Sequence, residues 1–270
     1  INQPNRTILM GILNITPDSF SDGGLYNSTE QAVMRARQLI IDGADILDIG
    51  GESTRPGASQ ISVNDELIRV IPVIKEIRNE HEEILISIDT YKSEVAKQSI
   101  AAGANIINDI SGLVFDKKMA SIAATLDVPV ILMHLKGTPR NMQDNPTYKC
   151  LISEIKTFLI TQANYAKQAG VKTKNIIIDP GIGFGKTVKD NFKILAKLKE
   201  FKDTGYPVLV GPSRKSFIGE TLNLPIDKRL EGTAASIAIS IINGAKIVRV
   251  HDVSEMKKVC KIVDKTLEMS

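Results

Sequence analysis

The amino-acid sequence predicts a single-domain α/β protein folded as a (β/α)8 TIM barrel over residues 1–270. A repeated pattern, Gly-Ala after an amphipathic stretch and before a β-branched run, occurs within 42–50, 102–110 and 243–252. Glycine suits the end of a helix, and the run after it suits a buried parallel strand. Eight such runs give about 34 residues per βα unit, which is the size expected of this barrel.

The predicted strands are short apolar runs rich in β-branched residues. In chain order they lie within 6–14, 42–50, 84–90, 102–110, 128–134, 175–181, 206–213 and 243–252. The alternative is a doubly wound open sheet, which would expose two edge strands. Because no short, charged, edge-like strand is present, the barrel is favoured.

Local signals mark some of the intervening helices. Ser28 to Gln31 has the pattern of a capping box that opens the first helix, and Asp252 to Glu255 resembles another that opens the eighth. Pro72 falls inside the periodic apolar pattern of the second helix, which predicts a kink or a break there.

Composition excludes several classes of protein. The chain is 43% apolar and 24% charged, which is typical of a soluble globular protein. A net charge of +3 and 4% aromatic residues argue against a nucleic-acid-binding surface. No apolar run approaches the roughly 18 residues of a membrane span, and no signal-peptide pattern is present. Cys150 and Cys260 lie far apart and outside any Cys/His cluster, so we expect no disulfide or zinc site and a cytoplasmic location.

Polar residues end the predicted strands, where barrel enzymes form their active sites. They are Asn14, Asp48, Asp89, Asn108, Asp109, His134, Asp179, Ser213, Arg214, Lys215, Arg249 and His251. Asp and Asn side chains can match the edge of a flat, nitrogen-rich heterocycle such as a pterin or purine. A structural hydrogen bond explains Asp48 and Asp109 equally well, whereas Asp89 and Asp179, which directly end β-branched runs, favour ligand binding.

An anion pocket is predicted where Arg249 and His251 meet the start of the eighth helix. The loops after strands 7 and 8 are the usual phosphate site of this fold. Asp252, as the expected N-cap, would fill one of the helix's free N–H donors. The stretch 179–187 resembles a P-loop, but Pro180 stands where that motif needs glycine, so that interpretation fails.

Eight motifs cover nearly the whole chain in this order: MGILNITPDSFSDGG, GGESTRPG, SIDTYKSEVA, NDISG, LMHLKGTPRNMQ, IIDPGIGFGK, GPSRKSFIG and RVHDV. Together they closely resemble the dihydropteroate synthase family of folate biosynthesis, a known sulfonamide target. The resemblance implies a barrel enzyme that joins 6-hydroxymethyl-7,8-dihydropterin diphosphate to 4-aminobenzoate. Its products would be 7,8-dihydropteroate and pyrophosphate.

The resemblance also implies a role for each motif residue. The pterin would be held by Asp89, Asn108, Asp179 and Lys215, with Met133 and Phe184 near its ring. The diphosphate would meet Arg249, His251 and Arg55, with Mg²⁺ on Asn14. The 4-aminobenzoate would lie among Phe20, Thr54, Pro56, Phe184 and Ser216. The catalytic set would be Asp89, Lys215, Arg249, His251, Phe20 and Asp22.

The connection NITPDSFSDGG, residues 14–24, is longer than the roughly 2 to 6 residues usual between a strand and a helix. Asn14 would belong to the fixed site. The remainder, from 16 to 24, would form a mobile lid in which Phe20 covers the aminobenzoate ring and Asp22 approaches the diphosphate or its metal.

The implied chemistry follows from the leaving group. Loss of diphosphate leaves a pterin methylene cation that the ring nitrogens stabilise, so an SN1-like path is expected. Mg²⁺ and the pair Arg249 and His251 would act on the charge growing on the diphosphate. No covalent nucleophile is needed. The resemblance implies a homodimer and no nucleic-acid or membrane partner.

Two alternatives stay open. A pterin-dependent methyltransferase needs no diphosphate site, so STRPG, SRKSF and RVHD argue against it. A non-catalytic paralogue acting as a partner subunit would be expected to have lost some of Asn14, Asp89, Lys215 or Arg249, and none is lost.

Overall fold

The computed structural model describes residues 6–15, 25–54 and 57–269, and within them the strands form one parallel sheet of eight. The strands are β1 Ile8–Asn14, β2 Ile46–Gly50, β3 Leu85–Asp89, β4 Ile106–Asp109, β5 Val130–Met133, β6 Ile176–Asp179, β7 Leu209–Val210 and β8 Ile247–Val250. Their spatial order is β6-β5-β4-β3-β2-β1-β8-β7. A parallel bridge between Ile178 and Val208 brings β7 beside β6 and closes the ring. The predicted barrel is confirmed.

Helices surround the barrel and alternate with its strands. In the described part they are α1 Leu25–Asp42, α2 Val63–Glu80, α3 Ser93–Ala101, α4 Met119–Leu126, α5 Leu151–Gln168, α6 Val188–Ala196, α7 Lys199–Lys202, α8 Ser216–Leu222, α9 Leu230–Ile242 and α10 Val253–Leu267. None of these described helices is both long and apolar enough to cross a lipid bilayer.

The Gly-Ala pattern acts as a helix stop at each of its three positions. Gly43, Gly103 and Gly244 have φ of 100°, 119° and 103°, a region that side chains with a Cβ rarely enter. The N–H of the alanine that follows each glycine donates to the carbonyl five residues earlier, which closes the helix end before the strand begins.

Three local expectations about helices differ at least in part from the structure. The first helix begins at Leu25, so Ser28 lies inside it and does not open it. The second helix continues through Pro72 from Val63 to Glu80, so it is not broken there. Asp252 occupies the N-cap position of α10, but its side chain makes no capping hydrogen bond. The carboxylate instead accepts a hydrogen bond from Arg214 Nε at 3.0 Å, because a guanidinium binds it more strongly than a backbone N–H does.

The barrel interior changes from apolar to polar along the strands. Its lower layer is one apolar cluster of Ile8, Met10, Ile46, Leu85, Ile106, Ile131, Ile177, Leu209 and Ile247. Because side chains two apart on a strand share a face, the next inward positions follow directly. Those positions are Ile12, Asp48, Ser87, Asn108, Met133, Asp179, Gly211 and Arg249, five of which are polar or charged. The polar end of the barrel therefore lies at the carboxyl ends of the strands.

Candidate active site

A charged cluster occupies the centre of the polar end. Arg249, on β8, donates from Nε to Asp48 Oδ2 at 2.5 Å and from Nη2 to Asp89 Oδ2 at 2.7 Å. Asn108 donates from Nδ2 to Asp48 Oδ2 at 3.2 Å. Four strands thus contribute to one network. Asp48, which is fully buried, has a structural role here as the partner of Arg249 and Asn108.

Asp89 keeps one carboxyl oxygen free for a ligand. Among the described residues its Oδ1 is buried without a hydrogen-bond partner. Burial raises the pKa of Asp89 to about 7, although the positive charge of Arg249 opposes the rise. A buried polar atom without a partner is costly, so this oxygen suits a donor supplied by a bound molecule.

Asp179 and Lys215 face the same end of the barrel from β6 and the start of α8. Asp179 Oδ1 accepts the N–H of Gly181 at 2.7 Å, and burial raises the pKa of this carboxyl. Lys215 donates to the carbonyl of Ile182, and its Nζ lies 4.4 Å from the centroid of the Phe184 ring. Burial lowers the pKa of Lys215 to about 7, although Asp179 opposes this.

We expect Lys215 to react with amine reagents faster than an exposed lysine. At pH 7.5 an amine of pKa about 7 is about three-quarters neutral, whereas an ordinary lysine is about one part in a thousand neutral. Brief treatment with acetic anhydride followed by peptide mass spectrometry measures the rates. Lys265, an exposed lysine in α10, serves as the reference. Measured against pH, the rate at Lys215 should level off above about pH 8 while that at Lys265 keeps rising, and the same pH profile at both positions would contradict the lowered pKa.

An apolar wall lies beside these polar groups. Met133, at the end of β5, packs with Tyr91 and Ile110. Phe184 and Phe115 cover the same cluster, and the Tyr91 and Phe115 rings meet edge to face with centroids 5.4 Å apart. Met133 and Phe184 therefore come together as the sequence predicts, and they offer a surface for a flat ring.

His251 and Arg249 make different contacts in the region predicted to bind an anion. His251 Nδ1 lies 3.0 Å from Ser213 Oγ, whereas Arg249 contacts the two carboxylates described above. Burial lowers the pKa of His251 to about 3, and Arg249 and Arg214 add to the effect. The imidazole is therefore neutral at pH 7. Because the Asp252 side chain caps no N–H group, the start of α10 remains a donor site.

Asp109 is structural. It is fully buried, and its carboxylate accepts the N–H and the hydroxyl of Ser111 at 2.8 and 2.7 Å and the N–H of Leu113 at 2.9 Å. Burial raises its pKa to about 6 despite these bonds. The carboxylate fixes the turn after β4, where Leu113 has a φ of 72°.

A second buried pair, Lys186 and His134, lies next to Phe184 of the apolar wall. Lys186 Nζ lies 3.0 Å from His134 Nδ1 and donates to the Phe184 carbonyl at 2.8 Å. Burial lowers the pKa of His134 to about 2 and that of Lys186 well below its usual value. Sequence reasoning identified His134 but missed Lys186, although the glycine-rich segment before it was a signal. The pair joins the connection after β5 to the one after β6.

Acid should destabilise the protein in part through His134. Its pKa is about 2 in the folded state and about 6.5 when free, so below pH 6.5 only the unfolded chain takes up the proton. The free energy of unfolding then falls by up to about 1.4 kcal/mol per pH unit. In His134→Gln this part of the loss disappears, so the variant should lose about 2 kcal/mol less between pH 6.5 and 5. Urea denaturation at both pH values measures it, and identical losses would contradict the prediction.

The sequence analysis did not predict a further buried cluster of charged side chains around Lys92. Lys92 Nζ lies 2.5 Å from Glu52 Oε2 and 2.6 Å from Glu66 Oε2, and the Tyr91 hydroxyl donates to Glu52 Oε1 at 2.6 Å. Glu52 and Lys92 lie within motifs that the sequence singled out. Their pairing joins segments 40 residues apart, so no local pattern indicates it.

Comparison with known proteins decides the family. A family model described as "Pterin binding enzyme" matches residues 10–251. A dihydropteroate synthase from Synechocystis is 50% identical over 96% of this chain and 90% of its own length. One from Bacillus subtilis is 49% identical over 99% of this chain and 91% of its own length. The chain belongs to the dihydropteroate synthase family.

Solved structures of the family share the whole fold. One from Clostridium difficile in the presence of pteroic acid superposes with a TM-score of 0.93, 45% identity and 98% coverage of both chains. One from Xanthomonas albilineans with 4-aminobenzoic acid gives 0.91 at 41% identity, covering 97% of this chain and 93% of that one. A Yersinia pestis complex with a sulfonamide drug gives 0.92 at 42% identity, covering 97% and 95%. These relatives support the synthase interpretation over the methyltransferase and paralogue alternatives.

The remaining dihydropteroate synthase motif residues lie around the same rim. Asn14 ends β1, where the strand register pairs it with Gly50, which in turn pairs with Asp89. Thr54 is half-buried in the connection after β2, and Ser216 is exposed at the first position of α8. Phe20, Asp22, Arg55 and Pro56, and with them the predicted lid, lie outside the described residues.

Proposed function

We propose that this chain condenses 6-hydroxymethyl-7,8-dihydropterin diphosphate with 4-aminobenzoate to give 7,8-dihydropteroate and pyrophosphate. The observation that carries the proposal is the unpartnered Asp89 Oδ1 inside a polar barrel end, beside the wall formed with Met133 and Phe184. Membership of the dihydropteroate synthase family supports the reaction.

The pterin would bind with its polar edge toward Asp89, Asn108 and Asp179. The carboxylates accept from ring and amino N–H groups, while the Asn108 amide and the Lys215 amine donate to ring nitrogen and oxygen atoms. The ring faces would pack on Met133 and Phe184. Because these groups sit at strand ends and are fixed by buried contacts, the site needs little rearrangement to bind the ring.

Bond breaking would come first in the reaction. The bond between the methylene carbon and the diphosphate oxygen breaks with its electron pair leaving on the diphosphate. The carboxyl groups of Asp89 and Asp179 favour the cation that remains, because opposite charges interact strongly in a dry pocket. The amine of 4-aminobenzoate then bonds to the methylene carbon and loses a proton to solvent.

The departing diphosphate would be received by donors on β8 and α10. Arg249 supplies a guanidinium, His251 a neutral imidazole, and the start of α10 its free N–H groups. Arg55, outside the described residues, is a further proposed contact.

A magnesium ion fits this site when the substrate brings it. Among the described residues no three His, Cys, Asp or Glu side chains gather around a metal position. Asn14 offers one amide oxygen at the end of β1. Mg²⁺ commonly keeps several waters and binds substrate phosphates, so one or two protein oxygens suffice. When bound, the ion would neutralise charge on the diphosphate, with Asn14 and Asp22 as its proposed protein contacts.

The 4-aminobenzoate would lie over the rim, near Thr54, Phe184 and Ser216. These three residues come from the connections after β2, β6 and β7. Phe20 and Pro56 are proposed to complete the pocket, with segment 16–24 as a lid that excludes water during the reaction.

We further propose a homodimer and a cytoplasmic location. Large apolar side chains are exposed around the last two helices, among them Ile226 at 55%, Ile242 at 60% and Ile262 at 71%. They lie on or next to α9 and α10, which pack against each other. An exposed apolar face of this kind suits a second copy of the chain. Analytical ultracentrifugation of the wild type and Ile242→Glu would test the dimer.

The reaction itself is tested by mixing the protein with pterin diphosphate, 4-aminobenzoate and Mg²⁺. Dihydropteroate and pyrophosphate should form in equal amounts, as measured by chromatography and a coupled pyrophosphate assay. A folded sample that binds the pterin but forms no product would contradict the proposed function.

A further inference from the structure

We propose that Glu52, Lys92 and Tyr91 are positioning residues that fix the loop between β2 and α2 above the active site. By doing so they would set the affinity for the aromatic amine substrate. This inference rests on the proposed function, since that function places the amine beside Thr54. It concerns residues outside the pterin and diphosphate contacts.

The Glu52 carboxylate closes the loop on itself. Glu52 lies two residues after β2, and its Oε2 accepts the backbone N–H of Ile61 at 3.2 Å, just before Ser62 caps α2. One side chain therefore joins the first and last turns of the segment that carries Thr54.

The same carboxylate attaches the loop to the neighbouring connection. Lys92 Nζ contacts Glu52 Oε2 at 2.5 Å, and the Tyr91 hydroxyl donates to Oε1 at 2.6 Å. Both partners follow β3, which ends at Asp89. These two contacts hold the loop in a fixed position relative to β3, the strand that carries Asp89, a proposed ligand of the pterin.

Tyr91 links the loop to the apolar wall. Its ring is buried and packs with Met133 and Ile110, while its hydroxyl reaches Glu52. The wall and the loop would contact adjacent parts of the two substrates. A change in the Tyr91 to Glu52 bond would therefore shift the loop without disturbing the wall.

The charges in this cluster serve no ligand directly. The Lys92 ammonium is enclosed by Glu52 and Glu66, and the side chains are 13%, 6% and 1% exposed. Paired and buried charges of this kind fix geometry more than they add stability.

Close packing of Gly51, at the start of the loop, against α2 further restricts the position of the loop. A Cβ on Gly51 would lie 2.8 Å from Val70 Cγ1, so the backbone approaches α2 too closely for any side chain. Arg69 donates to the Gly51 carbonyl at 2.8 Å. The loop base is therefore rigid, and the Glu52 contacts extend that rigidity toward Thr54.

The test compares Glu52→Gln and Tyr91→Phe with wild type. In Glu52→Gln the Lys92 and Glu66 pair remains neutral, so the variant should fold. In Tyr91→Phe the ring packing is kept and only the hydroxyl is lost. Both variants should raise KM for 4-aminobenzoate about tenfold, while the Kd of 6-hydroxymethylpterin stays within about twofold. The double variant should resemble Glu52→Gln alone, since the Tyr91 hydroxyl donates to the Glu52 carboxylate that this variant already alters.

The matched control is Glu80→Gln, which removes an exposed ion pair with Arg37 between α1 and α2. It should leave both constants unchanged. Hydrogen exchange of residues 57–62 gives a second measurement that needs no turnover, and it should speed up in Glu52→Gln and in Tyr91→Phe but not in Glu80→Gln. Unchanged exchange, or equal losses for both substrates, would overturn the inference. A wild type without synthase activity would instead overturn the proposed function, and exchange would still test the loop.

Discussion

Replacing Arg249 by methionine is expected to lower the free energy of unfolding by about 3 to 5 kcal/mol, because it leaves two buried carboxylates without their cation. Asp48 and Asp89 both contact the guanidinium, whose side chain is 19% exposed. Methionine fills much of the volume, so the loss reports charge more than packing. Urea denaturation at pH 8 measures it, with Glu80→Gln as a surface control that should change stability by less than about 1 kcal/mol.

The same variant should lose more stability than the wild type as pH rises above about 7. Removing the cation raises the pKa of Asp89 further above its ordinary value, so the folded state binds a proton that the unfolded state has lost. Between pH 5 and about 7 Asp89 is protonated in the folded state of both proteins, so the stability deficit stays nearly constant. Above about pH 7 the wild-type carboxyl ionises while that of the variant keeps its proton, so the deficit grows up to pH 8 and beyond. Arg249→Met/Asp89→Asn should recover part of the stability. A deficit that is constant with pH would contradict an electrostatic origin.

Most of the fold was predictable because the signals are local. Each strand is a short apolar run, and three are preceded by Gly-Ala, whose glycine needs a positive φ at the helix end. Period-two alternation then places Asp89 and Asp179 inside the barrel once the lower apolar layer is assigned. The rim residues follow from strand geometry without any knowledge of their partners.

Pairings between distant segments were not predictable. Asp252 caps no N–H group because Arg214, 38 residues away in the chain, takes its carboxylate. Lys186 is buried only because His134 and nearby carbonyls accept its contacts. Glu52 likewise depends on Lys92. In each case the local sequence predicts an exposed or capping charged residue, because the partner that buries or pairs it is distant in the chain.

The central ion cluster connects stability with function. Arg249 holds Asp89 by one oxygen and leaves the other free, so the arrangement that stabilises the barrel end also presents an acceptor. The unpartnered oxygen destabilises the free protein, and a hydrogen-bond donor on a bound molecule would remove that penalty. Under the proposed function, the oxygen that lacks a partner in the free protein is the same oxygen that accepts a hydrogen bond from the pterin.

Asp89→Asn is expected to weaken binding of 6-hydroxymethylpterin by about a hundredfold or more while leaving the protein folded. The amide presents one acceptor in place of two, and its NH₂ group faces either the Arg249 guanidinium or the N–H edge of the ligand. Stability should change little, since Asp48 still pairs with Arg249. Titration calorimetry measures the affinity, and thermal unfolding checks the fold.

The pH dependence of that binding separates a direct contact from an indirect one. The pKa of Asp89 is about 7, and the ionised carboxylate is the better acceptor. In the wild type, affinity for the pterin should therefore rise as pH increases from 6 to 8 and level off above that range. In Asp89→Asn this rise should be absent, whereas Glu80→Gln should retain it. Equal affinities in wild type and Asp89→Asn, or the same pH profile in both, would show that Asp89 is not the pterin ligand.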